Sequence, residues 1–126
     1  MSLKVLVADD SGVMRKIIIR VLKSIGVEDI VEAADGEEAL AKFVPGEFQL
    51  VLTDWNMPRK TGLDVIKGVR EVDADVALIM ITTEAEKRRV LEAIQAGVTD
   101  YLAKPFEADT LRAKLEKHFG NQFASA

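Results

Sequence analysis

Three acidic residues, a threonine pair and a lysine stand at the ends of separate apolar runs. They are Asp9, Asp10, Asp54, Thr82-Thr83 and Lys104. Three carboxylates placed together would repel one another and raise one another's pKa values unless a cation lay among them. Oxygen ligands without histidine or cysteine suit a hard divalent ion, so Mg²⁺ is the expected metal, and Mn²⁺ could substitute. Lys104 would neutralise the remaining negative charge, which would leave a site suited to an incoming phosphoryl group.

The elements that would bring these residues together are apolar runs alternating with segments of helical period. Such alternation is typical of βα units repeated over a parallel sheet. The apolar runs predict strands at 3–8, 29–33, 49–53, 76–81 and 99–102. The periodic segments predict helices near 12–25, 36–44, 62–72, 85–96 and 107–119. Strands 1, 3 and 4 are continuously apolar and should lie centrally, whereas the more polar strand 2 should lie at an edge.

Five such units in 126 residues fit a flavodoxin-like, doubly wound (βα)5 sandwich better than a closed barrel. The expected α/β fold has three layers and a parallel sheet of order 2-1-3-4-5. Ligands in these sheets gather at the carboxyl ends of the strands, at the switch point between strands 1 and 3. The polar residues above follow strand ends, so they should share one crevice. We expect one domain over residues 1–120 and a frayed tail at 121–126.

Each of these residues also has an ordinary explanation when it is taken alone. An aspartate after a strand commonly caps the next helix or forms an Asx turn, and Asp9, Asp10 or Ser11 could cap the first helix. Lys104-Pro105 could be turn chemistry. Capping does not require a lysine at the end of the last strand, however. The joint occurrence on four strand ends therefore favours a site.

Composition narrows the function classes. A net charge of −4 and a pI near 5.1 disfavour direct binding to nucleic acid. The chain has no cysteine, which excludes disulfides and thiolate chemistry, and its longest apolar run, 76–81, is far shorter than a membrane span. With no signal-peptide pattern at the N-terminus, these features predict a cytoplasmic protein that binds neither nucleic acid nor membrane. We expect a monomer.

Four short motifs carry a family resemblance: ADD after the first strand, TDWNMP after the third, and MITTEA and YLAKPF at the fourth and fifth. In this order they resemble the receiver domain of two-component response regulators, and the resemblance runs from about Leu3 to Phe119. Within that family, the chain most resembles the stand-alone, CheY-type chemotaxis regulators. The features that carry this resemblance are the DWNMP string, Tyr101 and the expected absence of an output domain.

The resemblance implies a role for each residue of the crevice. Asp54 would accept a phosphoryl group from a phosphohistidine and hold it as an acyl phosphate. The metal would be bound by the side chains of Asp10 and Asp54, by the backbone carbonyl of Asn56 and, through water, by Asp9. Mg²⁺-dependent self-phosphorylation from a phosphodonor and slow self-dephosphorylation would be the chemistry of such a protein.

The resemblance also implies a switch. Lys104 would pair with one phosphoryl oxygen and the Thr82 hydroxyl would donate to another, while Tyr101 would rotate inward. These movements would remodel a partner face on the fourth helix, fifth strand and fifth helix, with candidate residues Ala85, Glu86, Val90, Tyr101, Ala103 and Lys114. The implied partners are a sensor histidine kinase or histidine phosphotransfer protein and a downstream target such as a flagellar switch component.

Other functions stay open at this point. A phosphorelay shuttle or an adaptor outside motility is the main alternative, because Lys60-Thr61-Gly62 replaces the Asp-Gly of many receivers and the fourth helix begins with basic residues. A Mg²⁺-dependent phosphohydrolase is disfavoured, because it would need a second acid two positions after its nucleophile, where Asn56 stands. A flavin-binding module is also disfavoured, because Asp-Asp-Ser follows the first strand in place of a phosphate cradle and its carboxylates would repel the flavin phosphate.

Several single residues also have two interpretations. Trp55 could gate the site or be a surface aromatic, and Tyr101 could be only a half-buried ring on an edge strand. His118 is expected to be solvated. In the first helix, helical spacing predicts a buried stripe of Val13, Met14, Ile17, Ile18, Val21, Leu22 and Ile25.

Overall fold

The computed structural model describes residues 3–83, 87–104 and 106–120. Within them, strands β1 to β5 are Lys4–Ala8, Asp29–Ala33, Leu50–Thr53, Ala77–Thr82 and Asp100–Ala103. Helices α1 to α5 are Gly12–Ser24, Gly36–Lys42, Gly62–Val72, Lys87–Ala96 and Ala108–Phe119. Each predicted element is present, and its ends lie within two residues of the prediction; the predicted start of α4 at residue 85 falls outside the described residues. None of the described helices has the length and apolar character needed to cross a bilayer.

The strands form one parallel sheet in the order β2-β1-β3-β4-β5. In register, Ala8 at the end of β1 lies between Ala33 of β2 and Thr53 of β3, and Thr82 at the end of β4 pairs with Ala103 of β5. The predicted order is therefore confirmed, with β1, β3 and β4 central and β2 at an edge. This is the doubly wound, flavodoxin-like topology expected from the sequence.

Helices cover both faces of the sheet, which gives three layers. Successive residues of a strand point to opposite faces. Leu6, Val51 and Leu78 accordingly pack in the core beneath α2, α3 and α4, together with Ala39, Val65, Val69 and Ala93. Their strand neighbours Val7, Leu52 and Ile79 pack in the second core beneath α1 and α5, together with Ile18, Leu22, Leu111 and Leu115. The central strands are apolar throughout because both of their faces are buried.

The predicted core stripe of α1 is wider than the buried face. Ile18, Val21, Leu22 and Ile25 are buried, but Val13 is 71% exposed and Ile17 is 42% exposed. At 100° per residue, Val13 and Ile17 lie at one margin of the stripe, beyond the part that the sheet and α5 cover. The prediction that they belong to the core is wrong.

Candidate functional site

The acid pocket, which we define as Asp9, Asp10 and Asp54, lies at the carboxyl ends of β1 and β3. The backbone N–H of Asp54 donates to the carbonyl of Ala8 (2.9 Å), and that of Asp9 donates to the carbonyl of Ala33 (3.1 Å). These bonds continue the sheet ladder, so both aspartates are fixed by the neighbouring strands. One carboxylate oxygen from each acid lies within 4.8 Å of the others. The structure thus brings together the three acids singled out in the sequence.

Lys104 reaches the acid pocket from the end of β5. Its Nζ lies 2.7 Å from Asp9 Oδ2 and 3.4 Å from Asp54 Oδ2. The three side chains are largely buried, with exposed fractions of 11% for Lys104, 2% for Asp9 and 10% for Asp54. The backbone N–H of Lys104 donates to the Thr82 carbonyl (2.9 Å), which ties the lysine to the neighbouring strand. One ammonium therefore bridges two of the three carboxylates.

The electrostatic environment of Asp54 disfavours its charged form. Burial raises the pKa of the Asp54 carboxyl, the Lys104 ammonium opposes that rise, and the Asp9 carboxylate adds to it. A hydrogen bond from the Trp55 backbone N–H to Asp54 Oδ1 (2.8 Å) also lowers this pKa, yet the net direction is upward. An added cation would relieve this cost because it favours the ionised carboxylate.

The capping interpretation of the first acids is resolved by their side chains. Ser11 is the N-cap of α1, and its Oγ accepts from the backbone N–H of Met14 (3.1 Å). Asp9 accepts from the N–H of Ser11 through Oδ1 (2.9 Å), which leaves Oδ2 for Lys104. Asp10 is exposed and gives the pocket its solvent side. Only Asp9 combines turn chemistry with a place in the pocket.

Thr82 and Tyr101 lie on adjoining strands beside the pocket. Thr82 is 1% exposed at the end of β4, and Tyr101 of β5 is half-buried against the core beneath α4. The two side chains border a gap too narrow for a water molecule, whose other lining residues are Trp55, Met80, Arg89, Val90 and Ala93. Tyr101 is therefore a half-buried edge-strand ring, as one interpretation had it, and it also adjoins the candidate switch threonine.

Trp55 is buried, so the interpretation of it as a surface aromatic is wrong. Its exposed fraction is 7%, and the Arg89 guanidinium lies 5.1 Å from the centroid of its ring. Arg89 also donates through Nη1 to Asn56 Oδ1 (3.3 Å). Asn56 itself is exposed at the edge of the pocket. Nothing in the sequence pattern indicated Arg89, because its partners lie more than 30 residues away.

The turn after β3 requires glycine at its far end. The N–H of Gly62 donates to the carbonyl of Trp55 (2.8 Å), and a Cβ on residue 62 would lie 2.1 Å from the Asp54 carbonyl oxygen. Thr61 caps α3 and forms a capping box with Asp64. The departure Lys60-Thr61-Gly62 therefore supplies both a helix cap and the close approach that this turn needs.

The candidate partner face is only partly described. Val90 and Tyr101 are half-buried and Ala103 is exposed, whereas Ala85 and Glu86 lie outside the described residues. Lys114 of α5 is partly exposed, and its Nζ bonds to Asp100 Oδ1 (2.9 Å). Three of the candidates therefore lie together on α4 and β5, and Lys114 joins α5 to β5.

Asp100 joins β5 to α5 in a cluster that the sequence did not reveal. His118 Nε2 lies 2.7 Å from Asp100 Oδ2, so the expectation of a solvated histidine is wrong. Burial raises the pKa of Asp100, but the hydrogen bonds from His118, Lys114 and the Tyr101 backbone N–H outweigh that effect and hold this pKa at about 2. Asp100 is thus a firmly ionised group beside the candidate partner face.

This fold and site define a class of protein. The chain belongs to the response regulator receiver domain family, whose family model matches residues 5–116. Its curated relatives include chemotaxis regulators. Chemotaxis protein CheY-3 of Vibrio cholerae is 42% identical over 120 residues, which cover 94% of this chain and 92% of that protein. Chemotaxis protein CheY of Pseudomonas aeruginosa is 41% identical over 119 residues, which cover 93% and 96%.

Solved structures agree with this assignment. Vibrio cholerae CheY4 has a TM-score of 0.83 at 34% identity, and the match covers 93% of this chain and 98% of that one. A second neighbour is CheY of Borrelia burgdorferi, which was solved as a CheX–CheY complex with BeF3 and Mg²⁺. It has a TM-score of 0.88 at 26% identity, and the match covers 93% of this chain and 89% of that one. The protein is a CheY-like, two-component response regulator.

Proposed function

We propose that residues 1–120 form one receiver domain that accepts a phosphoryl group on Asp54 and, in response, changes its affinity for a downstream target in chemotaxis. The donor would be the phosphohistidine of a sensor histidine kinase or a histidine phosphotransfer protein in the cytoplasm. The observation that carries the proposal is the convergence of Asp9, Asp10, Asp54 and Lys104 at one end of the sheet.

The acid pocket fits a divalent cation. Its donors are all carboxylate oxygens, its charge exceeds what Lys104 can neutralise, and Asp10 opens it to water. Hard ions of the Mg²⁺ type select such donors and keep several waters. The candidate ligands are the side chains of Asp10 and Asp54 and the backbone carbonyl of Asn56, with Asp9 acting through water. When bound, Mg²⁺ would offset charge on the transferring oxygens.

Asp54 has the properties of a nucleophile that needs no general base. An aspartate is ionised at neutral pH unless its pKa rises by several units. A carboxylate oxygen of Asp54 would form the new O–P bond as the P–N bond of the phosphohistidine breaks, and the leaving imidazole would take a proton from water. The Trp55 N–H bond to Oδ1 orients the carboxylate and leaves Oδ2 facing Lys104. Slow hydrolysis of the acyl phosphate would return the protein to its starting state.

Lys104 and Thr82 would read the phosphoryl group once it is attached. Lys104 already contacts Asp54, so it can shift to a phosphoryl oxygen over a short distance. Thr82 lies in the wall that Tyr101 and α4 share, so a movement of its side chain would alter the packing of Tyr101. Couplings of this kind are typically ~1–3 kcal/mol, which changes partner affinity roughly 5–150-fold.

The relatives favour chemotaxis over a shuttle or adaptor role. Both curated relatives above are chemotaxis proteins, and this chain spans nearly all of their length. The Borrelia neighbour was solved with BeF3 and Mg²⁺ in complex with CheX. We therefore propose a flagellar switch component, or a protein that serves the same pathway, as the downstream target.

Labelling with a small phosphodonor tests the proposal. Acetyl phosphate with Mg²⁺ should add one phosphoryl group to the wild type, detected as a mass increase, and EDTA should prevent it. The Asp54→Asn variant should gain no mass, whereas the matched control Asp29→Asn, an exposed acid on β2, should be labelled like the wild type. Full labelling of Asp54→Asn would refute the assignment of the phosphoacceptor.

A capture experiment tests the proposed target. Immobilised protein loaded with beryllofluoride and Mg²⁺ should retain a flagellar switch component that the protein without beryllofluoride releases. Equal retention in both states would refute a phosphorylation-dependent switch.

A further inference from the structure

Arg89 fastens α4 to the turn that follows the phosphoacceptor. We call Arg89, Trp55 and Asn56 the α4 latch. The guanidinium of Arg89 covers the buried Trp55 ring at 5.1 Å and donates to Asn56 Oδ1 at 3.3 Å. A planar guanidinium can stack on an aromatic face and donate from its edge at the same time, which lysine cannot do. One side chain therefore restrains two consecutive residues of the β3–α3 turn.

The position of Arg89 is electrostatically unfavourable without such contacts. It belongs to the first turn of α4, which carries Lys87, Arg88 and Arg89 and no acidic residue. The N-terminus of a helix is the positive end of its dipole, so cations there destabilise the helix. The π face of Trp55 and the amide oxygen of Asn56 both attract positive charge and draw the Arg89 guanidinium toward the pocket.

The latch acts on the same turn that orients Asp54. The Trp55 N–H donates to Asp54 Oδ1 at 2.8 Å, and the Trp55 carbonyl accepts from Gly62 at the start of α3. Trp55 is thus held by α3 through its backbone and by α4 through its ring. If the ring were released, the backbone N–H that aims the carboxylate would lose one of its two supports.

We propose that Arg89 is a positioning residue for phosphoryl transfer: it holds Trp55 and Asn56 so that the Asp54 carboxylate is presented in one orientation to the donor and the metal. The proposal rests on the proposed function of Asp54 as phosphoacceptor. Arg89 also links the phosphoacceptor site to α4, which is part of the proposed partner face. Any movement of α4 must either break the contacts of Arg89 or move Trp55 and Asn56 with it.

The test measures phosphorylation rates with acetyl phosphate and saturating Mg²⁺, over a range of donor concentrations. The variants are Arg89→Gln, Arg89→Lys and the matched control Arg88→Gln, which removes the same charge from an exposed neighbour. We expect Arg89→Gln to lower the limiting rate about fivefold, because misorientation of a reacting group is felt at saturation. Arg88→Gln should change it less than about twofold, since loss of charge alone mainly weakens binding of the anionic donor.

A spectroscopic readout accompanies the rates. Trp55 is the single tryptophan of the chain, so its fluorescence reports the latch directly. Arg89→Gln should shift the emission of the unphosphorylated protein, and Arg88→Gln should not. Arg89→Lys keeps the charge but lacks the planar fork, so its limiting rate should lie between those of the wild type and Arg89→Gln. If Arg89→Gln fails to fold, the limiting rate of Arg89→Lys tests the positioning role in its place.

The outcomes separate this inference from the proposed function. If wild-type protein is labelled on Asp54 but Arg89→Gln and Arg88→Gln have the same limiting rate, the positioning role is refuted and the phosphoacceptor assignment stands. If Arg89→Gln does not fold, a wild-type limiting rate in Arg89→Lys also refutes the positioning role. If the wild type is not labelled on Asp54 at all, both proposals are overturned.

Discussion

Replacing Asp100 with asparagine should destabilise the protein at neutral pH. Asp100 is 13% exposed in its side chain and lies at the start of β5, where it contacts three groups of α5. Lys114 Nζ is 2.9 Å from Oδ1, His118 Nε2 is 2.7 Å from Oδ2, and Lys117 Nζ is 3.9 Å from Oδ2. An asparagine would keep the shape of the side chain but would lose the charge that these groups face.

The size of the effect follows from the pKa of Asp100. Although burial raises it, the hydrogen bonds from His118, Lys114 and Tyr101 lower the pKa from 3.8 to about 2. Since one pKa unit corresponds to roughly 1.4 kcal/mol, the folded state favours the ionised carboxylate by about 2 kcal/mol. Because the folded pKa is depressed, this stabilisation is fully present above pH 3.8 and is lost as the pH falls through about 2.

Urea unfolding of the wild type and Asp100→Asn measures this quantity. At pH 7 the variant should be less stable by about 2 kcal/mol, and the difference should shrink as the pH is lowered below 4. Asp109→Asn is the matched control, because Asp109 lies in the first turn of α5, its side chain is 87% exposed, and its ion pair with Arg112 is longer, at 3.5 Å. Its effect should be less than half that of Asp100→Asn. Equal losses in the two variants, or a difference that persists unchanged in acid, would refute this account of the cluster.

Two further predictions concern packing, and both are checked by urea unfolding. Gly62→Ala should lower the free energy of unfolding by about 1–3 kcal/mol, because the added Cβ would lie 2.1 Å from a backbone oxygen. In the control Gly12→Ala the nearest atom is 3.5 Å from the added Cβ, so the change should be small. Equal effects of the two variants would contradict the close approach at Gly62. Ile18→Ala should cost about 2–5 kcal/mol, whereas Ile17→Ala should cost much less because Ile17 is 42% exposed. A similar loss at both positions would contradict the boundary drawn for the buried face of α1.

The order of elements and the site crevice could be predicted because both depend on local patterns. Apolar runs mark strands covered on both faces, and the rule that ligands gather at strand ends places Asp9, Asp54 and Lys104 together. The register confirms that Ala8 and Thr53 are neighbours, so the residues that follow them must meet. For this part of the site, chain topology was sufficient.

Contacts that the helices make with strands and turns distant in the chain could not be predicted in the same way. Arg89 on Trp55 and His118 on Asp100 depend on how α4 and α5 lie on the sheet, and helical period does not specify that placement. The exposure of Val13 has the same origin, since periodicity gives the direction of an apolar face but not how much of it a neighbour covers. These contacts required the three-dimensional structure.

The ion pair between Lys104 and Asp9 joins residues 95 positions apart in the chain. During synthesis Asp9 is made early, but Lys104 follows β5 and is made much later. Closing so long a loop is slow and entropically unfavourable until the intervening strands have paired. A growing chain therefore carries the acids of the pocket without the ammonium that contacts two of them in the fold until residue 104 has been made.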